Sequence, residues 1–324
     1  MNAFRFCDVA SGLQQETLPI PKPSSSEALI RVEAAGLCHS DTHVLHGGGA
    51  AWMCKLPITL GHEIAGVIIE LGGHSPSLKI GDSVAVACVG HPIETRDFSE
   101  ALGVGRDGGY AQYVVAPLKN LVPIPAGVSF AQAAVATDSV ATAYHAIVSE
   151  GGIGPSSTVG IIGMGGLGLN GVAIAAARKA RVYGIDIDET KFELAQSLGA
   201  VACASNLSVF SDQTFDVIVD FAGAQATIES AMAAVRPGGT VVLVGLASDK
   251  LTFTTTELVT KNIALRGSTS ASMEELQDVL HLIGKGILKP QIEWLPFSDI
   301  PNGLKRLGTQ QVQGRLYATP NAKE

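Results

Sequence analysis

The chain has 324 residues, a formal net charge of −8 and only 16% charged residues. Its length exceeds what a single hydrophobic core usually serves, so we expect two domains. The negative charge argues against a nucleic-acid-binding surface, and a composition of 46% hydrophobic residues with 37 glycines excludes an intrinsically disordered chain.

Neither secretion nor a membrane span is indicated. The first residues lack the long apolar segment and small-residue cleavage site of a signal peptide. The Ala- and Val-rich run near 131–148 contains Asp138 and His145, which would be costly in lipid. The five cysteines show neither disulfide-like density nor a Cys-x-x-Cys pair, which favours a reducing compartment. We therefore expect a cytoplasmic protein without membrane contacts.

Short apolar runs separated by Gly and Pro dominate the first part of the chain. Residues 28–32, 64–71 and 83–87 have the length and composition of strands. With their turn-forming punctuation they predict a mainly β, barrel-like domain.

Three metal-binding side chain types occur in or near this β region, namely Cys38, His62 and Asp138. A catalytic zinc uses three ligands of these types and leaves a fourth position open for water or substrate. A structural zinc would instead show tightly spaced Cys-x-x-Cys pairs. The wide separation of the three residues therefore predicts a catalytic metal site that folding assembles.

From about residue 158 the pattern changes to strand followed by helix. We predict strands at 158–163, 181–186, 216–221 and 240–245, with a helical segment after each. This alternation is typical of a doubly wound parallel sheet with helices on both faces.

The first of these strands runs into a Gly-x-Gly-x-x-Gly sequence and an Ala-rich helix, the context that a dinucleotide-binding fingerprint requires. Gly163 would allow the tight turn, Gly165 would let the backbone reach a pyrophosphate, and Gly168 would let the helix pack closely on the strand. The helix N-terminus would face the anion.

The next strand ends in Asp186, where the ribose-binding acid of such a fold belongs. A carboxylate there accepts hydrogen bonds from the ribose of NAD and repels the 2′-phosphate of NADP. The alternatives are a solvated acid or a helix N-cap, which Asp188 could equally provide. Lys191 is the first basic residue that follows, too distant to suggest a phosphate pocket, and we count it among the cofactor-binding candidates.

Together these residues resemble the zinc-dependent alcohol dehydrogenases of the medium-chain dehydrogenase/reductase superfamily over nearly the whole chain. The resemblance implies an α/β protein with a GroES-like, mainly β catalytic domain at 1–139 and 271–324, and a Rossmann doubly wound parallel-sheet cofactor domain at 140–270. The order of the motifs matches as well: Cys38-His39-Ser40-Asp41, Gly61-His62-Glu63, Gly81-Asp82-Ser83-Val84, Gly108-Gly109-Tyr110-Ala111, the glycine fingerprint, Arg236-Pro237-Gly238-Gly239 and Val312-Gln313-Gly314-Arg315.

The resemblance implies that Cys38, His62 and Asp138 bind zinc, with Glu63 behind the metal as an outer or exchangeable ligand. Asp138 stands where the family more often carries Cys, so a harder oxygen replaces a sulfur and the metal becomes somewhat more Lewis acidic. In the interval 85–107, relatives commonly carry a four-cysteine lobe for a second zinc. That interval here holds one cysteine, and we predict one zinc per chain.

The remaining site assignments also come from the resemblance. A proton would pass from the alcohol through a hydroxyl and the ribose to a histidine whose pKa lies near neutrality. Two basic residues would contact the cofactor pyrophosphate, although both could equally be surface residues. The relay positions are held by Ser40 and His43, the pyrophosphate positions by His39 and Arg315, the nicotinamide positions by Thr142 and Leu167, and Gly166 completes the glycine loop.

The predicted function is hydride transfer between an alcohol, or the matching aldehyde or ketone, and NAD(H), in a homodimer or homotetramer. One alternative is a zinc-free NADPH-dependent quinone or enone reductase of the same superfamily. That enzyme would have no need for the three metal ligands or for Asp186. The second alternative is a non-catalytic NAD(H)-binding protein, which would bind the cofactor without oxidising any alcohol.

Overall fold

The computed structural model describes residues 1–48, 56–88, 97–309 and 311–322. The chain divides into two compact units. One consists of Met1–Ser139 with Ser272–Glu324, and the other is the continuous segment Val140–Ala271. Among the described residues, no helix combines the length and the apolar character needed to cross a lipid bilayer.

The first unit is mainly β, as predicted. Its described elements, numbered along the whole chain, are the strands β1 (Asn2–Phe6), β2 (Leu13–Thr17), β3 (Glu27–Leu37), β4 (Ile58–Thr59), β5 (Glu63–Leu71), β6 (Ser83–Val86), β7 (Tyr113–Pro117), β8 (Leu121–Pro123), β15 (Ile292–Leu295) and β16 (Arg315–Ala318), and the helices α1 (His39–Leu45), α2 (Phe130–Val135), α8 (Met273–Gly284) and α9 (Ile300–Gly308).

These strands form two sheets. The smaller has the order β2-β1-β4, and the larger has the order β15-β16-β3-β5-β6-β8 with β7 paired to β3. Apolar side chains of β3, β5 and β6 form the centre of the core, including Ile30, Val32, Ile64, Ile68 and Val84, none of which is exposed. Burial of these side chains fixes the strand register, because a shift by one residue would turn them to solvent.

The second unit is a six-stranded sheet in which all neighbours are parallel. Its order β11-β10-β9-β12-β13-β14 is the 3-2-1-4-5-6 order of a dinucleotide-binding doubly wound sheet, which confirms the predicted fold class. The elements are β9 (Thr158–Ile162), β10 (Arg181–Ile185), β11 (Ala200–Ala204), β12 (Phe215–Asp220), β13 (Val235–Leu243), β14 (Ala264–Gly267), α3 (Ala141–His145), α4 (Gly166–Ala177), α5 (Phe192–Ser197), α6 (Gln225–Ala234) and α7 (Thr255–Thr260).

Candidate active site

Strand pairing in the first unit brings the predicted metal ligands together. Strand β3 ends just before Cys38 and is antiparallel to β5, so Gly36 lies opposite Glu63. Strand β16 is antiparallel to β3 on its other side and places Leu316 opposite Leu37. The end of β3 therefore lies between the starts of β5 and β16. These two strands begin with the polar residues Glu63 and Arg315.

Four side chains offer metal-binding atoms that all lie within 4.8 Å of one another: Cys38, His62, Glu63 and Asp138. Asp138 Oδ2 lies 3.5 Å from Cys38 Sγ and 3.6 Å from His62 Nε2. Ordinary zinc–ligand bond lengths place the donors of a tetrahedral site about 3.3–3.7 Å apart. The two distances from Asp138 Oδ2 therefore match those of donors that share one zinc ion.

Asp138 reaches the cluster from a local irregularity in the backbone. It lies in the π-helical turn Ala136–Val140 that follows α2, and its side chain is partly exposed, whereas Cys38, His62 and Glu63 are buried. Single π-turns of this kind are frequently found at functional sites. The partly exposed carboxylate leaves one side of the cluster accessible.

Arg315 lies inside this cluster. Its Nη2 is 2.5 Å from Glu63 Oε1 and 3.1 Å from both Cys38 Sγ and Asp138 Oδ2. The guanidinium is buried, and sequence analysis did not anticipate these partners. The predicted contact of Arg315 with a cofactor pyrophosphate stays a prediction, as does that of His39, which is exposed at the start of α1.

Burial and the mutual proximity of these charges shift their pKa values. Burial raises the pKa of Glu63 to about 7, against the lowering effect of Arg315. Burial lowers the pKa of His62, but the negative charges of Asp41 and Cys38 more than reverse this, so that its pKa lies well above the ordinary value. The metal-free cluster therefore holds protons that an incoming metal ion would displace.

The two predicted proton-relay residues lie on α1, three residues apart and so on one face of the helix. Ser40 Oγ donates to Cys38 Sγ at 3.0 Å and lies 3.5 Å from His62 Nε2. The ring of His43 is half-buried and lies over Gly48, where an added Cβ would come within 2.3 Å of it. Ser40 is thus in contact with the cluster, while their roles in proton transfer remain predictions.

In the second unit, the glycine loop after β9 has the geometry of an anion cradle. Gly163 adopts a φ of +81°, and a Cβ on Gly168 would lie 1.8 Å from the Gly163 carbonyl oxygen. A Cβ on Gly165 would meet nothing within 4 Å, so this face of the loop is open. Helix α4 begins at Gly166 without a side-chain cap, which leaves its first amides available to a negatively charged group.

Asp186 is buried directly after β10 and ties the glycine loop to that strand. Its carboxylate accepts from the Met164 amide at 2.6 Å and from the Asp188 amide at 2.9 Å. Lys191 Nζ donates to both oxygens, at 3.0 and 3.1 Å. The N-cap alternative belongs to Asp188, whose side chain accepts from the Thr190 amide. Of the predicted nicotinamide neighbours, Thr142 is buried in α3 and Leu167 is half-buried in α4.

Comparison with known proteins shows the family to which this chain belongs. The model of the alcohol dehydrogenase GroES-like domain matches residues 24–126, and that of the zinc-binding dehydrogenase domain matches residues 166–285. An alcohol dehydrogenase of Geobacillus stearothermophilus is 33% identical over 325 aligned residues, which cover 94% of this chain and 95% of that protein. The chain belongs to the zinc-binding alcohol dehydrogenase family.

Two further relatives match this chain over almost its full length. An NAD-dependent alcohol dehydrogenase of Sulfurisphaera tokodaii is 32% identical, covering 99% of this chain and 100% of that protein. The structure of acetophenone reductase from Geotrichum candidum in complex with NAD has a TM-score of 0.89 at 33% identity, covering 98% of this chain and 96% of that chain. The resemblance drawn from the sequence motifs is therefore confirmed.

The region that in the family commonly carries a second zinc shows one cysteine here. Cys88 Sγ lies 3.8 Å from the Leu102 carbonyl oxygen, and burial raises the pKa of this thiol to about 12. His91 lies outside the described residues. Within the four described ranges, the cluster around Cys38 is the one group of three or more potential metal ligands, and the number of zinc ions per chain stays a prediction.

Sequence analysis missed two residues of the site, Asp41 and Tyr110. Both residues occur in motifs that match the family, but no role was predicted for either. Asp41 is buried beside His62, and the Tyr110 hydroxyl donates to Asp41 Oδ2 at 2.6 Å. A signal was present in the spacing, because an acid three residues after Cys38 can accept from the backbone amide at the start of the helix.

Proposed function

We propose that the protein is an NAD-dependent zinc alcohol dehydrogenase that transfers a hydride between an alcohol, or the matching aldehyde or ketone, and NAD(H). The observation that carries this proposal is the ligand cluster, in which a thiolate, an imidazole and a carboxylate occupy zinc-like separations in a buried setting. The family relationship and the open glycine cradle support the cofactor.

Cys38, His62 and Asp138 would hold the zinc, and Glu63 lies behind them. When bound, zinc would act as a Lewis acid on the substrate oxygen and so favour hydride transfer to or from the adjacent carbon. Glu63 and Arg315 form a buried pair at the rear of the ligand set, at 2.5 Å. The ligand set of one thiolate, one carboxylate and one neutral imidazole balances the charge of a divalent zinc ion.

The chain's own residues would move the proton. Ser40 Oγ contacts Cys38 Sγ and His62 Nε2, so it can reach a substrate oxygen that occupies the open corner of the site. His43, one turn along α1 and half-buried, would exchange the proton with solvent.

In the second unit, we propose that the glycine loop and the first turn of α4 bind the cofactor pyrophosphate, that Asp186 and Lys191 bind the adenosine ribose, and that Thr142 and Leu167 flank the nicotinamide. The buried carboxylate of Asp186 favours NAD over NADP, because it would repel a 2′-phosphate. His39 and Arg315 stay candidates for the pyrophosphate.

These assignments give each of the two units a role. The unit Met1–Ser139 with Ser272–Glu324 would be the catalytic domain, and Val140–Ala271 the cofactor domain. We further propose a cytoplasmic homo-oligomer, a dimer or tetramer, that acts on small alcohols or carbonyl compounds. A zinc-free reductase is disfavoured, because such an enzyme has no need for three clustered metal ligands.

The first test is elemental analysis of freshly purified protein together with the Asp138→Ala variant. We expect one zinc per chain in the wild type and NAD-dependent oxidation of an alcohol. Asp138→Ala should lose zinc and alcohol oxidation but bind NADH with nearly unchanged affinity, because Asp138 is a proposed metal ligand and takes no part in the proposed cofactor contacts. Asp212→Ala, which alters an exposed aspartate, serves as the matched control. Alcohol oxidation that persists in Asp138→Ala would refute the ligand assignment.

A further inference from the structure

We propose that Tyr110 is a positioning residue for the metal centre, whose hydroxyl fixes Asp41 so that Asp41 holds both Cys38 and His62 in their ligating orientations. This inference rests on the proposed function, since it assigns a role to Tyr110 through the proposed zinc ligands. Tyr110 is too far along this chain of contacts to touch the metal or the substrate itself.

Asp41 contacts two of the three ligand residues at once. Its Oδ2 accepts from the Cys38 backbone amide at 3.3 Å, and its Oδ1 lies 3.4 Å from His62 Nδ1. The opposite ring nitrogen, Nε2, faces Asp138 Oδ2 at 3.6 Å. A metal-binding histidine whose second nitrogen faces a carboxylate has its ring orientation and tautomer fixed by that carboxylate. Asp41 is therefore the carboxylate beside His62 Nδ1, which leaves Nε2 on the side of the other ligands.

Tyr110 in turn fixes Asp41. Its hydroxyl donates to Asp41 Oδ2 at 2.6 Å, a short hydrogen bond of the kind that charged acceptors form. Both side chains are buried, with exposed fractions of 0% for Tyr110 and 2% for Asp41. Burial raises the pKa of the Tyr110 hydroxyl well above its ordinary value, with Asp41 acting in the same direction. The hydroxyl therefore remains protonated and a hydrogen-bond donor at any pH used in an ordinary assay.

The backbone around His62 is built to accept this tyrosine. Gly61, directly before His62, has a φ of +91°, and a Cβ there would lie 2.4 Å from the Tyr110 ring. The Tyr110 amide donates to the Leu60 carbonyl oxygen at 2.9 Å. The ring thus packs on the residue that precedes the histidine ligand, and the hydroxyl extends beyond it to the carboxylate that orients the same ligand. Packing and hydrogen bonding converge on His62.

The decisive variant is Tyr110→Phe, which keeps the ring and its packing and removes only the hydroxyl. Loss of a partner behind a metal ligand commonly weakens metal affinity by about 10- to 100-fold. Since Tyr110 acts one residue further out, we expect about a tenfold faster loss of zinc to a chelator and about tenfold weaker zinc affinity. The ligand-field absorption of the cobalt-substituted protein should shift, and NADH affinity should not change.

Tyr113→Phe is the matched control, because it removes the same hydroxyl from a tyrosine three residues later, in strand β7. A double-mutant cycle with Asp41→Asn tests the route: if Tyr110 acts through Asp41, Tyr110→Phe will have no further effect on zinc affinity in the Asp41→Asn background. The cycle also separates this role from a general loss of packing.

The inference is overturned if Tyr110→Phe binds zinc as tightly as wild type and Tyr113→Phe, or if it lowers the stability of the metal-free and zinc-loaded protein equally with an unchanged cobalt spectrum. Fully additive effects of Tyr110→Phe and Asp41→Asn on zinc affinity would also overturn the inference. Wild-type protein that binds no zinc would overturn the proposed function instead, so the two failures are distinguishable.

Discussion

Replacement of Arg315 by Met tests the least expected feature of the site. The guanidinium is buried and contacts Glu63, Cys38 and Asp138. Burial alone would lower the pKa of Arg315. The negative groups around the guanidinium more than reverse this effect and raise the pKa above its already high ordinary value. Arg315 is therefore a buried cation that offsets negative charge in the cluster.

The expected magnitude follows from burial. The side chain of Arg315 is 4% exposed and that of Glu63 is 0% exposed, so Met would remove a buried cation that Glu63, Cys38 and Asp138 share. Removal of one member of a buried ion pair costs about 3–5 kcal/mol. We expect a loss of this size in the free energy of unfolding of metal-free protein at pH 7. The loss should be smaller with zinc bound, because the metal then supplies positive charge to the same groups.

Urea unfolding of Arg315→Met, with chelator and with zinc, measures both values. Arg306→Met is the control, because the Arg306–Glu293 pair lies at the surface with exposed fractions of 28% and 48%, where a pair contributes about 1 kcal/mol or less. If Arg315→Met loses no more stability than Arg306→Met in metal-free protein, the argument is wrong. A fall in NADH affinity at unchanged stability would instead support the pyrophosphate contact.

Three other predictions concern protons, cofactor choice and glycine packing. Burial raises the pKa of Glu63 from its ordinary 4.5 to about 7, so stability from this group is complete below pH 4.5 and is lost as the pH rises through about 7; Glu63→Gln should flatten this slope in urea unfolding of metal-free protein, and an unaltered slope would contradict it. Asp186→Ala should weaken NADH binding by about 10- to 100-fold, as loss of hydrogen bonds to a charged acceptor implies, and should reduce discrimination against NADPH; fluorescence titration with both cofactors measures this, and unchanged affinities would contradict it. Gly168→Ala should cost about 1–3 kcal/mol by overpacking, because its Cβ would lie 1.8 Å from the Gly163 carbonyl oxygen. Gly165→Ala should leave stability nearly unchanged but weaken NADH binding, and the reverse order of effects would refute the assignment of these two glycines.

The sequence allowed the two folds and their principal strands to be predicted, because buried strands carry continuous apolar runs. Two strands of the parallel sheet were not located from the pattern. The strand β11 reads Ala-Val-Ala-Cys-Ala with Val201 exposed, and β14 has no fully buried residue. Edge strands bury less surface, so their apolar signal is weak. Their existence depends on pairing to neighbours that a local pattern does not reveal.

The candidate site divides in the same way. Cys38, His62 and Asp138 were predicted as a group because their side chain types suit one metal. The contacts of Arg315 depend on which strands pair and in which register, because Arg315 lies 252 positions from Glu63 and 277 from Cys38. The contact of Tyr110 with Asp41 spans 69 positions and likewise depends on the fold. Residue types therefore indicated the chemistry, whereas only the register of β16 on β3 showed which groups surround it.

The pairing of β16 with β3 also sets an order of events during synthesis. The continuous segment Val140–Ala271 is translated before β16, and a domain generally folds as a unit once it has emerged from the ribosome. The sheet that carries Cys38 gains β16 only after Arg315–Ala318 has been made, because β16 pairs with a strand that is translated far earlier. We therefore expect a chain that ends before residue 315 to retain every proposed zinc ligand yet lack the strand that carries Arg315.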